Sequence, residues 1–271
     1  MTTGLPSRSL TTNQQVGRPM TTLRTPKNPS GPVDVTVVSL DQTGTDRLAS
    51  LDQASAATLV TGKPVREFRM RKGQKHWSGS WWCSTTTDLE TYESRLELAR
   101  LILADHDPHV TDVLSQPFTL HATVDGQRRR HVPDFLLTRV GKRPVVVDVK
   151  LASRIDAPKI APVLAWTRQA VEARGWEYEV WTGTGHIRLA NIRFLAGYRL
   201  PGRVNPDVAT LARAQCLPGM TVGEALAVLD GFAHPVLSKP ALLHLLWTSA
   251  LTVDLDEPVT RRSLLLHGTR R

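Results

Sequence analysis

Asp134, Asp148 and Lys150 are the residues of this 271-residue chain whose types and spacing point most directly to chemistry. Asp148 and Lys150 stand two apart in Val147-Asp148-Val149-Lys150. On a strand both therefore point to one face, because side chains alternate with period two. A carboxylate and an ammonium in an otherwise valine strand are costly to desolvate unless they are paired or bound to a metal. Asp134 opens the apolar run Phe135-Leu136-Leu137, and the turn Gly141-Lys142-Arg143-Pro144 separates that run from Val145-Val146-Val147. The two runs are expected to pair as adjacent strands, bringing Asp134 near Asp148 and Lys150. Two or three carboxylates so gathered hold Mg²⁺, or Mn²⁺ in its place, through oxygen ligands and make a bound water nucleophilic near neutral pH. The lysine would orient that water and offset charge developing on a phosphate. An ordinary salt bridge on one strand face is the competing explanation.

Upstream, the pattern predicts a helix over residues 91–104, with Thr87 and Glu90 at capping-box spacing before it. Glu93, Glu97, Leu101 and Ala104 would share one side of that helix, which offers Glu93 or Glu97 as a third carboxylate. A solvated glutamate beside an arginine is the plain alternative. Downstream, residues 162–174 read as a helix, with Pro162 in its first turn and Gly175 just past its end. Residues 176–182 read as a strand, so a β-α-β unit follows the hairpin and a mixed sheet flanked by helices is expected. Gln169 on this helix is a weaker candidate for the site, since a polar helical residue is usually solvent-facing.

Pro133-Asp134 followed after one hairpin by Asp148-x-Lys150 resembles the PD-(D/E)XK nuclease superfamily. More specifically, Ser94-Arg95-Leu96-Glu97, Asp107-Pro108-His109-Val110, Gln116-Pro117-Phe118, Asp134-Phe135 and Val147-Asp148-Val149-Lys150 stand in the order seen in TnsA-like endonuclease subunits of heteromeric transposases. This resemblance covers roughly residues 66–195 and selects Glu97 over Glu93. It implies a restriction-endonuclease-like α/β fold in which Glu97, Asp134 and Asp148 hold the metal ions and Lys150 orients the attacking water. It also implies double-stranded DNA at transposon ends as substrate, with cleavage at the 5′ ends. An integrase-type transposase subunit and an AAA+ regulator are the partners it implies. Relatives often carry Gln where Asp148 stands, and the aspartate is closer to the wider superfamily pattern.

A net charge of +9 and a pI near 10.1 favour a polyanionic partner. Two basic segments are candidates for phosphate contact: Arg69, Arg71, Lys72 and Lys75 ahead of Trp81 and Trp82, and Arg128, Arg129 and Arg130 directly before Pro133-Asp134. A solvated face explains the first equally well, and a charged edge strand the second. Trp81 and Trp82 are expected to pack on the core. His106, His109 and His131 match no metal-ligand spacing and read as structural or solvated. Cys83 and Cys216 are too few and too far apart for a disulfide framework or a zinc site, which makes a cytoplasmic setting the expectation. No apolar run approaches the ~20 residues of a membrane span.

Three segments are expected. Residues 1–65, rich in Thr, Ser, Pro and Gly, read as a flexible arm with one short strand at 33–40. Residues 66–200 form the endonuclease domain. Residues 204–271 read as three short helices, 206–215, 221–229 and 239–249, with a strand at 251–255 that returns near Pro258, a pattern resembling a winged-helix domain. The last of these helices carries little charge, which suits core packing or a protein contact better than base reading. Two rival functions share these residues: a stand-alone nuclease of restriction or defence type, and a non-enzymatic DNA-binding adaptor.

Overall fold

The computed structural model describes residues 34–66 and 77–269. The described residues begin with β1 (Val35–Leu40), β2 (Asp46–Ser50) and the short helix α1 (Ala56–Leu59). Strands β3 (Gly79–Cys83) and β4 (Asp88–Tyr92) form a hairpin that leads into helix α2 (Arg95–His106). Five strands follow: β5 (Val110–Ser115), β6 (Thr119–Val124), β7 (Gln127–His131), β8 (Phe135–Arg139) and β9 (Val145–Val149). Helix α3 (Ala161–Ala173), strand β10 (Glu177–Trp181) and helix α4 (His186–Leu195) complete this part. The rest consists of α5 (Pro206–Gln215), α6 (Val222–Asp230), α7 (Pro235–Trp247) and a ladder of β11 (Leu251–Thr252) with β12 (Leu266–His267).

Two four-stranded sheets carry the architecture, ordered β2-β1-β6-β7 and β10-β9-β8-β5. The first is antiparallel throughout, whereas the second is mixed, with β10 parallel to β9. The β8–β9 hairpin pairs Phe135 with Val147, Leu136 with Val146 and Leu137 with Val145, as the two apolar runs and their turn predict. Gly141, at φ +63°, supplies the left-handed residue of that turn. The β9-α3-β10 crossover also follows its pattern, with Pro162 in the first turn of α3 and Gly175 at φ +82° beyond its end.

The alternating strand period divides β8 and β9 between two cores. Leu136 and Val146 face a cluster shared with Val37 of β1, Leu120 of β6 and Val171 of α3. Phe135, Leu137, Val145, Val147 and Val149 face the opposite cluster, closed by Ala99, Leu101 and Ala104 of α2. A sheet covered on both faces needs apolar residues at consecutive positions, which explains the unbroken valine run of β9.

The chain departs from its sequence pattern in four places. Residues 34–66 are not part of a flexible arm. Strand β1 lies between β2 and β6, and its inward residues Val35 and Val37 are 3% and 1% exposed. Its VTVVSL run is short but alternates cleanly, and burial of one face outweighs the polar composition around it. The predicted helix at 91–104 starts only at Arg95, because Thr91 and Tyr92 close the β3–β4 hairpin and Ser94 is the N-cap. Trp82 is 39% exposed, since alternation along β3 turns it away from the side that buries Cys83. Finally, α7 begins at Pro235 and holds Pro240 inside it, while the strand after it is two residues long and pairs at 266–267, not near Pro258. The helices at 206–215 and 222–230 match their patterns, including the Thr221–Glu224 capping box.

Helices α5–α7 share a core with the α/β part. Ile102 of α2 and Ile192 and Leu195 of α4 belong to the same buried cluster as Leu229, Leu242 and Leu246. Trp247 Nε1 donates to Ser84 Oγ at 3.0 Å, and Arg199 Nε donates to the Trp82 carbonyl at 3.0 Å.

Candidate active site

Asp134 immediately precedes β8 and extends its ladder: its N–H donates to the Val147 carbonyl, and its own carbonyl accepts from Gln116 N–H, both at 2.9 Å. The Asp134 side chain turns to the far end of β9. Its Oδ2 accepts the Val149 N–H at 2.6 Å and Lys150 Nζ at 3.0 Å. Lys150 Nζ also lies 3.6 Å from Asp148 Oδ1. The structure thus brings Asp134, Asp148 and Lys150 together as the hairpin spacing predicts.

Asp148 is fully buried. Burial alone would raise its pKa, but a hydrogen bond and charge from His131, together with Lys150 and the Tyr178 hydroxyl, outweigh that and hold it below the usual carboxylate range. His131 Nε2 lies 2.9 and 2.8 Å from the two carboxylate oxygens, and the Tyr178 hydroxyl donates to Oδ2. Against oxygens that only accept, Nε2 is the protonated ring nitrogen. At Asp134 burial wins: it outweighs the lysine, the neighbouring Asp148 carboxylate adds to it, and the carboxyl is raised. For Lys150 the balance reverses: burial would lower it, but Asp134 and then Asp148 raise it, keeping the ammonium charged.

Glu97 comes from the first turn of α2, where it also completes the helix start. Ser94 Oγ accepts from Glu97 N–H at 3.1 Å, while the Glu97 carboxylate accepts from Ser94 Oγ at 2.9 Å and from Glu93 N–H at 2.7 Å. Burial, and then the neighbouring Asp134 carboxylate, push Glu97 up to about 7. Its charge in turn acts on Lys150. Glu93 lies before α2, off the helix, and accepts from Gln116 Nε2 at 3.0 Å with Arg66 at 3.9 Å. Gln116 therefore links the Glu93 side chain to the Asp134 backbone, at φ +45°, a conformation that costs a non-glycine residue about 1–3 kcal/mol.

The sequence reading missed His131 and Tyr178 as contacts of Asp148. They lie 17 and 30 positions from Asp148, on β7 and β10, and no local spacing announces either contact. It also paired Glu90 with Thr87 as a helix cap. Glu90 is instead a strand residue, 7% exposed, whose Oε2 accepts from Ser115 N–H at 2.9 Å and Ser115 Oγ at 2.6 Å; burial pushes it up to about 7. His106 packs edge-on against Trp247, and His109 lies in the turn before β5. Arg128, Arg129 and Arg130 lie exposed along β7, an outer strand of its sheet. Arg129 shares a strand face with His131, two residues on. Arg69, Arg71, Lys72 and Lys75 lie outside the described residues. Cys83 and Cys216 are free and buried. Among the described residues no helix is long and apolar enough to cross a membrane, and no three His, Cys, Asp or Glu side chains stand ready to hold a metal ion.

A helix-flanked mixed sheet whose central hairpin ends in two aspartates and a lysine defines an α/β domain of nuclease-like build. Residues 107–183 match the family model described as TnsA-like endonuclease N terminal, so this part of the chain is similar to the N-terminal domain of TnsA-like endonucleases. The matched segment contains Asp134, Asp148 and Lys150, together with His131 and Tyr178, and ends short of α4; Glu97 lies before it. No curated protein matches the chain.

Proposed function

We propose that the chain is a metal-dependent DNA endonuclease subunit of a heteromeric transposase, hydrolysing phosphodiester bonds at the 5′ ends of a transposon. The observation that carries this reading is the contact of Lys150 with Asp134 and Asp148 inside the TnsA-like segment. Donor chemistry supports Mg²⁺, or Mn²⁺, as the cofactor. Asp134 and Asp148 share a single lysine on which the Glu97 charge also acts, and Glu97 and Asp134 are raised above their ordinary range. That excess of buried negative charge is what an oxygen-seeking divalent cation neutralises. Glu97, Asp134 and Asp148 would hold it, and it would supply Lewis-acid polarisation of the phosphate and a water acidic enough to attack.

The chain's own residues do the rest. Lys150, kept charged by its two aspartates, is placed to orient the attacking water and to offset charge on the phosphate oxygens. Val149 N–H fixes Asp134 in the rotamer that meets the lysine. Gln116 and Ser94 hold the acidic side chains of residues 93 and 97 in place. Arg128, Arg129 and Arg130 supply phosphate contacts that position duplex DNA across this end of the sheet, and the basic residues 69, 71, 72 and 75 add to them. Helices α5–α7 with the β11–β12 ladder form a winged-helix-like unit, and an integrase-type transposase and an AAA+ regulator are the partners in a cytoplasmic reaction.

A second reading, a DNA-binding adaptor without catalysis, is favoured by one observation: Asp148 finds its partners within the protein, in His131, Tyr178 and Lys150. Labelled transposon-end DNA incubated in Mg²⁺ with and without the partner transposase separates the readings. Nicks mapping to the 5′ ends that require the partner support the transposase subunit. Cutting by the isolated chain supports a stand-alone nuclease, and no cutting under either condition supports the adaptor.

A further inference from the structure

We propose that His131 and Tyr178 are positioning residues of the site, gripping the Asp148 carboxylate so that one oxygen, Oδ1, is presented to a divalent cation. The proposal rests on the metal-dependent reading above. A carboxylate offers about four lone-pair directions. His131 occupies one on each oxygen, at 2.9 and 2.8 Å, and the Tyr178 hydroxyl takes the second on Oδ2. The direction left over belongs to Oδ1, the oxygen that Lys150 Nζ approaches at 3.6 Å, beyond hydrogen-bond length.

The grip is built from three strands. Tyr178 pairs in register with Val146, and Asp148 with Val180, so Tyr178 and Asp148 lie on one face of neighbouring parallel strands. His131 ends β7 of the other sheet, and residues 132–133 carry the chain directly from it to Asp134. One short connection therefore sets both the donor to Asp148 and the other aspartate. Helix α3 buttresses both grips: Trp166 meets the His131 ring edge-on at 6.3 Å, and Arg168 lies 5.0 Å over the Tyr178 ring while donating to the Tyr178 carbonyl at 3.3 Å. A carboxylate fully buried and held in this way cannot swing, so its free lone pair has one direction only. Partners that orient a metal-binding carboxylate are typically worth roughly 10–100-fold in affinity.

Calorimetric titration of the full chain with Mn²⁺, alongside thermal melting, tests this in wild type, Y178F, H131A, H131Q and D134A. Mn²⁺ affinity is expected to fall roughly 10–100-fold in Y178F and H131A, with partial recovery in H131Q, whose amide retains a donor. Y178F removes a single oxygen and carries the test where H131A does not fold. Wild-type affinity in Y178F and H131Q, or a lowered melting temperature with unchanged affinity, overturns the proposal while leaving the metal-dependent reading standing. Absence of Mn²⁺ binding by wild type, or binding that D134A leaves intact, overturns that reading and this proposal together.

Discussion

Lys150 Nζ and Asp134 Oδ2 stand 3.0 Å apart, and that same oxygen accepts the Val149 N–H, so the charged pair is locked to the end of β9 by the backbone itself. The pair is partly buried, with side chains 26% and 18% exposed. Removing the lysine leaves Asp134 facing Asp148 without a counter-ion. Lys150→Ala is therefore expected to cost about 1–3 kcal/mol at neutral pH, below the range for a fully buried pair. Adding Asp134→Asn should recover part of the loss. Urea denaturation of the single and double variants checks this, and strictly additive losses would show that the two residues are not coupled.

Glu90 gives a pH signature away from the aspartates. Its pKa is about 7 in the folded chain against 4.5 ordinarily, so between those values the folded state retains a proton that the unfolded chain has released. Stability contributed by this group therefore falls as pH rises from about 4.5 to 7 and levels off above that, by at most about 3 kcal/mol. Glu90→Gln still accepts from Ser115 and has no such slope. It should be more stable than wild type above pH 7, with the advantage vanishing near pH 4. Parallel stability curves for the two proteins would contradict the assignment.

Ser94 caps α2 and also fixes Glu97, so one hydroxyl serves the helix and the site. Ser94→Ala should cost about 1 kcal/mol in urea denaturation, and Ser94→Asp, a good cap but a like charge beside Glu97, should not restore Mn²⁺ binding. Full Mn²⁺ affinity in both variants would place Glu97 outside the metal set.

The arginines of β7 should reveal themselves through salt. If Arg128, Arg129 and Arg130 contact phosphates, each alanine variant should lower the slope of log affinity against log salt by about 1, with similar losses on unrelated duplex sequences. Unchanged slopes would make the stripe a solvated outer strand that guards against edge pairing.

These contacts show where the sequence is legible. Asp134, Asp148 and Lys150 could be read because one hairpin links them, and a turn flanked by apolar runs fixes its own register. The β9-α3-β10 crossover was readable for the same reason, since Pro162 and Gly175 mark the helix ends. His131 and Tyr178 were not, because their contacts with Asp148 arise only when two sheets and a parallel crossover are assembled. The start of α2 was misread because Thr87 and Glu90 mimic a capping box, while the working cap, Ser94 with Glu97, lies seven residues later. Strand β1 was underweighted because polar composition around it hid a clean alternation that the β6 partner completes.

On the proposed function, Asp134, Asp148 and Lys150 form a metal-dependent catalytic site. Its most direct test is cleavage of labelled transposon-end DNA, with the partner transposase present, by wild type, Asp148→Ala and Lys150→Ala in Mg²⁺ and in EDTA. The expected result is cleavage by wild type in Mg²⁺ alone and a loss of at least roughly 100-fold in both variants. Cleavage that persists in EDTA, or in both variants, would contradict a metal-dependent site at these residues.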